Sequence, residues 1–326
     1  MSTFITIETM CGICKTKFQT SEICSTNSFG SPDLDLRPPQ MKRSTMPCWV
    51  KVCPNCGFAR STVEGNFKHL EYLVHSKEYK TCEGNRFKGQ LSEHFYKQAL
   101  VAIEEGENLT ACSAFLHAAW AADDVKDVKG AIICRCKALD LYETFDYKKD
   151  ENQYVQRADL LRRTGRFEQL IDEYSLFKSS NELINKIVAF QLDRAKEKDY
   201  SCYTVSDCDS VFMKLYDEPF NLIKDGKKTI EVRCNDKKRQ KLKVGDKIIF
   251  TRYENPADRI RAEIVELRAF NTFRELYSAY PLETFGYNDK NVDDMVKDAY
   301  DIYSKEKEEK YGALAISIKT TSHACF

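Results

Sequence analysis

Two CxxC pairs, Cys11-Gly-Ile-Cys14 and Cys53-Pro-Asn-Cys56-Gly57, each set two thiols on one tight turn. That spacing lets paired knuckles hold a tetrahedral zinc ion through four sulfur ligands. Four thiolates close the coordination sphere and leave no position for water, so the chemistry implied is structural and not catalytic. A redox use of either pair would need a thioredoxin-like βαβ surrounding, and the flanking sequence has none. Cys24, Cys48, Cys82, His69 and His75 lie in the same stretch and could form or alter a second site, although isolated Cys and His more often pack or lie exposed. The other concentration of chemistry is Lys228-Thr-Ile-Glu-Val-Arg233. On a strand, Thr229, Glu231 and Arg233 share one face while Ile230 and Val232 share the other. The apolar pair is expected to face a core and the polar trio to be exposed together, with Lys228 at the strand's entrance. Between Lys214 and Arg252 there are 12 Lys and Arg against 6 Asp and Glu, a local excess of 12 − 6 = 6 in a chain of formal net charge zero. A phosphate-bearing partner would therefore meet a local patch and not a basic protein. Lys237, Lys238, Arg239, Lys241 and Lys243 extend the patch, with a solvated charged face as the alternative.

The elements that must position these residues fall into three regions. With 326 residues and 42% hydrophobic content the chain can bury more than one core. It contains no apolar run of 18 residues, and its start lacks the basic and apolar segments of an export signal, so we expect a cytoplasmic protein without membrane contact. Of the 14 cysteines, Cys11, Cys14, Cys24, Cys48, Cys53, Cys56 and Cys82 crowd the first quarter. Without export, metal thiolates suit them better than disulfides. Residues 1–85 read as short strands and knuckles without a large core, which need a staple. Residues 86–200 carry helical spacing, as in Ala111, Phe115, Ala118, Ala119 and Trp120, and about six helices are expected. Trp120, Tyr142, Phe167 and Tyr174 are read as interhelical core, and His94 and His117 as structural histidines. The stretch Ala158 to Tyr174 resembles a tetratricopeptide-type (TPR) hairpin, and such a region could offer a surface to a protein partner. Residues 201–210, rich in Ser and Asp, read as a linker. From 211 to 326, alternation dominates in Val211-Phe-Met-Lys-Leu, Lys247-Ile-Ile-Phe and Ala313-Leu-Ala-Ile, which implies a mixed barrel with a few helices.

Two resemblances sharpen this. Cys11-Gly-Ile-Cys14, then Asp33-Leu-Asp-Leu-Arg-Pro-Pro39, then Trp49-Val-Lys-Val-Cys-Pro-Asn-Cys-Gly-Phe-Ala59 resemble a bacterial domain of unknown function with paired CPxC motifs, and the likeness extends to about residue 205. It departs at Gly12, where that family has proline, and at Phe58 in place of tyrosine. The 38 residues between the pairs (15 to 52) exceed usual ribbon spacing, so an insertion must loop out. Downstream, Gly226-Lys-Lys-Thr-Ile-Glu-Val-Arg233, Lys243-Val-Gly-Asp246 and Tyr311-Gly-Ala-Leu-Ala-Ile316 resemble the ASCH domain, a relative of the PUA RNA-binding barrels. The fold expected is thus multidomain α+β: an N-terminal zinc-ribbon-like module, a central TPR-like α-helical region and a C-terminal PUA-like ASCH β-barrel. The resemblance implies RNA, nucleotide or modified-nucleoside binding, with Lys228, Thr229, Glu231, Arg233 and Lys241 as binding residues and structural Zn2+ at the cysteines. An alternative is a nucleoside amidohydrolase or ribonuclease using Lys228 and Glu231, with Glu283 as a distant acid. Some small ASCH proteins hydrolyse acetylated cytidine with a lysine and a threonine three residues later, and here Glu231 stands at the threonine position. A further alternative is a protein-interaction scaffold built on the helices.

Overall fold

The computed structural model describes residues 1–80, 86–255 and 258–321. The chain is multidomain α+β and divides into two compact units, Met1–Val205 and a second beginning at Ser206.

In the first unit, β1 (Thr3–Met10) and β2 (Lys17–Ser25) form an antiparallel ribbon with Met10 opposite Lys17. The turn joining them carries Cys11 and Cys14. A second ribbon, β3 (Lys51–Val52) and β4 (Ala59–Arg60), carries Cys53 and Cys56 on its turn. Two short helices follow, α1 (Glu71–His75) and α2 (Lys77–Lys80), then α3 (Gln90–Glu104). The knuckles share a small core with these helices: Cys11, Ile13, Cys53, Phe58, Val63, Leu70, Val74, Tyr79 and Val101. Apolar burial this limited cannot by itself offset the chain entropy of so many loops.

Beyond α3 come α4 (Asn108–Asp124), α5 (Val128–Tyr142), α6 (Glu151–Arg163), α7 (Phe167–Tyr174) and α8 (Glu182–Lys196). Helix α4 packs between α3 and α5, and its buried alanines 111, 114, 118, 119, 121 and 122 keep side-chain bulk out of those interfaces. Side-chain oxygens of Asp127, Asp150 and Asn181 cap α5, α6 and α8 by accepting from backbone amides, which satisfies donors that a helix start leaves open. Trp120, Tyr142 and Tyr174 are buried, whereas Phe167 is half-buried at the start of α7. The insertion between the knuckles lands on these helices. Asp35 accepts from the Trp120 indole at 2.7 Å and Arg37 pairs with Asp124 at 2.6 Å, while Gln156 donates to the Asp35 carbonyl at 2.8 Å. A surface that sequence alone offers to a partner is, at these residues, taken by the chain's own segment.

The second unit holds β5 (Val211–Leu215), α9 (Asp217–Lys224), β6 (Ile230–Cys234), β7 (Lys247–Arg252), β8 (Arg259–Phe270), α10 (Phe273–Ser278), α11 (Val292–Ile302), α12 (Lys305–Tyr311) and β9 (Ala313–Thr320). Its five-stranded sheet runs β5-β7-β8-β9-β6, with β5 and β7 parallel and the other pairs antiparallel. A bulge between Ile264 and Glu266 in β8 adds twist, and the sheet curls into a half-barrel. Among the described residues no strand ladder closes it, and β5 and β6 are the two edges.

Apolar cores lie on both faces of the sheet, while Glu263, Val265 and Arg268 of β8 stay exposed. Met213, Leu215, Phe220, Ile248, Phe250, Ile264, Leu314 and Ile316 fill the inside, and Ile230, Cys234, Phe273, Leu276, Met295, Ala313 and Ala315 pack on the outside beneath α10 and α11. On β6 this reverses part of the expectation. Ile230 does face a core, but Glu231 and Arg233 lie opposite Ile316 and Leu314 of β9, so they too point inward, toward the barrel interior. A strand with helices on one side and the curl of the sheet on the other has little solvent face to give its polar residues.

Candidate functional site

The first cluster of chemistry is the four cysteines. Cys11 Sγ lies 3.6 Å from Cys56 Sγ and Cys14 Sγ 3.5 Å from Cys53 Sγ, and all four sulfur atoms are within 4.8 Å of one another. Tetrahedral thiolates at the usual zinc–sulfur bond length would sit about 3.8 Å apart, so the set fits a metal ion. Turn geometry produces that spacing. Gly57 sits at φ +74°, where its amide donates to the Cys53 carbonyl at 2.9 Å. At Gly12 a side chain is excluded, since a Cβ there would meet Phe67 at 2.6 Å, and its amide donates to Val63 at 2.8 Å, which proline could not do. Burial works against the Cys14 thiolate, but hydrogen bonds with Thr16, Asn55 and Cys53 outweigh it and hold the thiol at about 6. Burial pushes the Cys53 and Cys56 thiols up, so a cation at the centre is what would ionise the whole set. Cys24 is exposed and Cys48 half-buried, His69 pairs with Glu105 at 2.6 Å, and His75 contacts the Glu71 carbonyl. None of these four joins a metal-ligand cluster among the described residues, and Cys82 lies outside the described residues.

The second site is a cavity of about 500 Å³ at the seam between the edge strands β5 and β6. Lys214, Leu215 and Tyr216 line one side, and Glu231, Val232 and Arg233 the other. Helix α11 supplies Met295, Asp298 and Ile302, with Tyr277, Tyr287 and Tyr303 completing the wall. The Arg233 guanidinium spans the open seam, donating from Nη2 to the Lys214 carbonyl at 2.8 Å. It thereby replaces, with one side-chain bond, the ladder that would close a full barrel.

Glu231 sits between two cations. Its Oε2 is 3.4 Å from Lys228 Nζ and its Oε1 is 2.8 Å from Arg233 Nε, and the Glu231 side chain is only 5% exposed. The second contact is a charge pair without hydrogen-bond alignment, so Arg233 Nε remains a buried donor with no hydrogen-bond acceptor among the described residues. Burial disfavours the guanidinium charge, yet Glu231 and Tyr303 outweigh it and hold Arg233 above its ordinary value. Burial, reinforced by the Glu231 charge, pushes the Tyr277 phenol up, and burial does the same to Tyr287, with Glu218 adding to it. Both phenols therefore stay neutral and able to donate. Lys290 bonds Asp298 at 2.8 Å across the mouth.

With this geometry in view, the relationships of the chain are clear. The family described as "Uncharacterized protein conserved in bacteria (DUF2225)" matches residues 4–171. The chain belongs to that family. The ASCH domain matches residues 213–322, the segment that holds the cavity. Two solved structures are similar: the hypothetical protein PH0355, at 34% identity over 34% of this chain and 97% of that one with a TM-score of 0.31, and protein PF0455 from Pyrococcus furiosus, at 30% identity over 35% and 99% with a TM-score of 0.30. No curated protein matches. The DUF2225 portion thus carries the cysteine cluster and the ASCH domain carries the cavity.

Within the ASCH domain, the fold brings Lys228, Glu231 and Arg233 together in one cavity. It does not bring Thr229, Lys241 or Glu283 there. Thr229 precedes β6, is exposed, and its hydroxyl points to the Thr284 carbonyl at 3.4 Å. Lys241 ends an exposed 3-10 turn, and Glu283 lies exposed on another. Lys214, Lys290, Asp298 and the tyrosines 277, 287 and 303 line the cavity without any signal near the GKKTIEVR run. Asp298 lies on the exposed side of α11, so helical spacing reads it as an ordinary solvent residue. No described helix is long and apolar enough to cross a membrane.

Proposed function

We propose that the ASCH domain binds RNA or a nucleotide in the seam cavity, and that the DUF2225 cysteines hold a structural zinc ion that staples the knuckles to a TPR-like helical platform. The observation that carries the first part is the buried Lys228–Glu231–Arg233 triad opening onto a nucleotide-sized cavity. Three charged side chains converging on one cavity can be matched by a polar ligand. The cavity is also balanced in charge: Lys214, Lys228, Arg233 and Lys290 stand against Glu218, Glu231, Asp298 and Asp301. The group that enters is therefore neutral and polar, as a base or nucleoside is, with phosphate held at the cationic rim. Most of the positive excess seen in the sequence, including Lys237, Lys238, Lys241 and Lys243, lies outside the cavity and suits a backbone running past it.

Titration of the full chain with nucleoside monophosphates should give saturable binding that weakens about tenfold or more in Lys228→Ala and Arg233→Ala, since each removes a charge-assisted bond. Unchanged affinity in both variants, with the fold intact by circular dichroism, would remove the cavity from consideration.

A second reading, hydrolysis of a nucleoside or RNA, draws on the 3.4 Å approach of Lys228 and Glu231, which could act as an acid–base pair. Thr229 gives it no hydroxyl in the cavity. Incubation with acylated nucleosides and an RNA pool, with Glu231→Gln as control, decides between the two. Product that depends on Glu231 would promote the enzyme.

A further inference from the structure

At the cavity stand two tyrosines, one lining it and one outside it. Tyr216 follows β5 and Tyr253 follows β7, and their rings stack with centroids 5.4 Å apart and planes 23° from parallel. The Tyr253 amide donates to the Leu215 carbonyl at 2.8 Å, which continues the parallel β5–β7 pairing and fixes the two rings side by side. Both remain largely in water, Tyr216 at 60% exposure and Tyr253 at 59%. Single exposed aromatics are ordinary on protein surfaces. A stacked pair is different when one ring, Tyr216, also lines the cavity and Lys214 Nζ lies 6.0 Å from the centroid of the other.

This rests on the cavity reading above and extends it to the ligand's form. We propose that the Tyr216–Tyr253 stack is a platform for the base next to the one held in the cavity, so that the ligand of the ASCH domain is a single-stranded RNA segment and not a free mononucleotide. A volume of about 500 Å³ admits one nucleotide and no more, so a longer ligand must continue along the surface. Flat exposed rings beside a lysine are the surface that accepts an unstacked base without regard to its identity. A duplex cannot use it, because its bases are already stacked and paired.

The test uses the full chain, uridine and adenosine monophosphates, the matching hexanucleotide RNAs, and a duplex of the same length, with Tyr253→Ala and Tyr253→Phe variants. The single strands should bind at least tenfold tighter than the mononucleotides, since stacking one base is worth about that much or more. Tyr253→Ala should erase that gain while leaving mononucleotide affinity within twofold, and Tyr253→Phe should keep it. Equal affinity for single strand and mononucleotide, or for single strand and duplex, overturns the platform and leaves the cavity standing. A hexanucleotide gain that survives Tyr253→Ala also overturns it. Failure of every nucleotide to bind overturns the cavity reading and the platform together.

Discussion

Two buried arginines, one in each unit, show how differently this chain uses a charge taken out of water. Arg162 in α6 has its side chain fully enclosed, and its donors are spoken for: Nε bonds Gln191, Nη1 donates to the carbonyls of Asp199 and Ser201 at 2.7 Å, and Nη2 pairs with Asp159 at 2.7 Å. Arg233 in β6 bonds the Lys214 carbonyl across the seam, is held by Glu231 and Tyr303, and lines a cavity. The first is a staple that ties the end of the helical region to its middle. The second bonds across an open seam and lines a cavity, and that position sets it apart, since an unaligned Nε is shared by Arg37, Arg135, Arg157 and Arg163. The four cysteines belong with the first kind, since they face one another and leave no open ligand position.

The strongest test of the staple side is the metal. Cys53→Ser, or prolonged chelation, should remove the ion and abolish cooperative unfolding of the knuckle region, because structural zinc contributes on the order of 10 kcal/mol to domains that lack a core of their own. Metal analysis should give one zinc per chain before the change and less than a tenth of that after it. Zinc-free protein with an unchanged melting profile would show that the nine-residue core around Phe58 suffices.

Next in size is Arg162→Met. It takes the charged partner from Asp159, buried at 1% exposure and left with the Gln191 amide at 3.1 Å, along with the donor to two carbonyls, and breaking a buried pair in this way costs about 3–5 kcal/mol. Chemical denaturation should report that loss. A loss under about 1 kcal/mol would mean that water or a neighbour replaces the guanidinium, and that the enclosure is less strict than the geometry states.

Much of this division is legible in the sequence, and the limits have a physical cause. The two CxxC pairs are local signals, fixed by turns of four residues, so their meeting could be anticipated from spacing alone. The strand alternation of Ile230 and Val232 likewise anticipates which side of β6 meets a core. What alternation cannot give is the second cover: only the curl of the sheet, set by the β8 bulge and by β9 lying beside β6, turns the Glu231 face from solvent to interior. The same holds for α11, whose Asp298 reaches the cavity from a position more than sixty residues beyond Arg233. It holds again for Asp35 and Arg37, whose charged composition reads as a surface loop although both are buried against α4 and α6.

A smaller effect should come from His117. Trp49, Phe95 and Trp120 surround its ring at about 5 Å, and burial, aided by Arg37, pulls the imidazole down to about 4 from an ordinary 6.5. The unfolded chain binds a proton that the folded chain refuses across that window. Stability from this group is therefore complete above pH 6.5 and is lost as pH falls toward 4, by at most about 3 kcal/mol. Asp35 acts in the opposite sense, because burial and the charges of Asp159 and Asp33 push its carboxyl up to about 6. The difference between wild type and His117→Phe isolates the histidine: the variant should lose less stability between pH 6.5 and 4. Parallel profiles would place the acid sensitivity elsewhere.

The smallest effect on stability, and the sharpest on the comparison, should come from Arg233→Met. Glu231 keeps Lys228 as a partner at 3.4 Å and the seam is open beside it, so the loss of the bond to Lys214 and of the Tyr303 contact should register about 1–2 kcal/mol in denaturation. Ligand affinity should nevertheless fall about tenfold or more, as for Arg233→Ala, because a guanidinium lining the cavity is gone. Arg233→Lys separates charge from shape: it keeps the cation but not the planar fork, and should recover stability while recovering little of the binding. If Arg233→Met instead costs as much stability as Arg162→Met, the seam is held shut by this residue as a structural clamp, and its guanidinium is not a place reserved for a ligand.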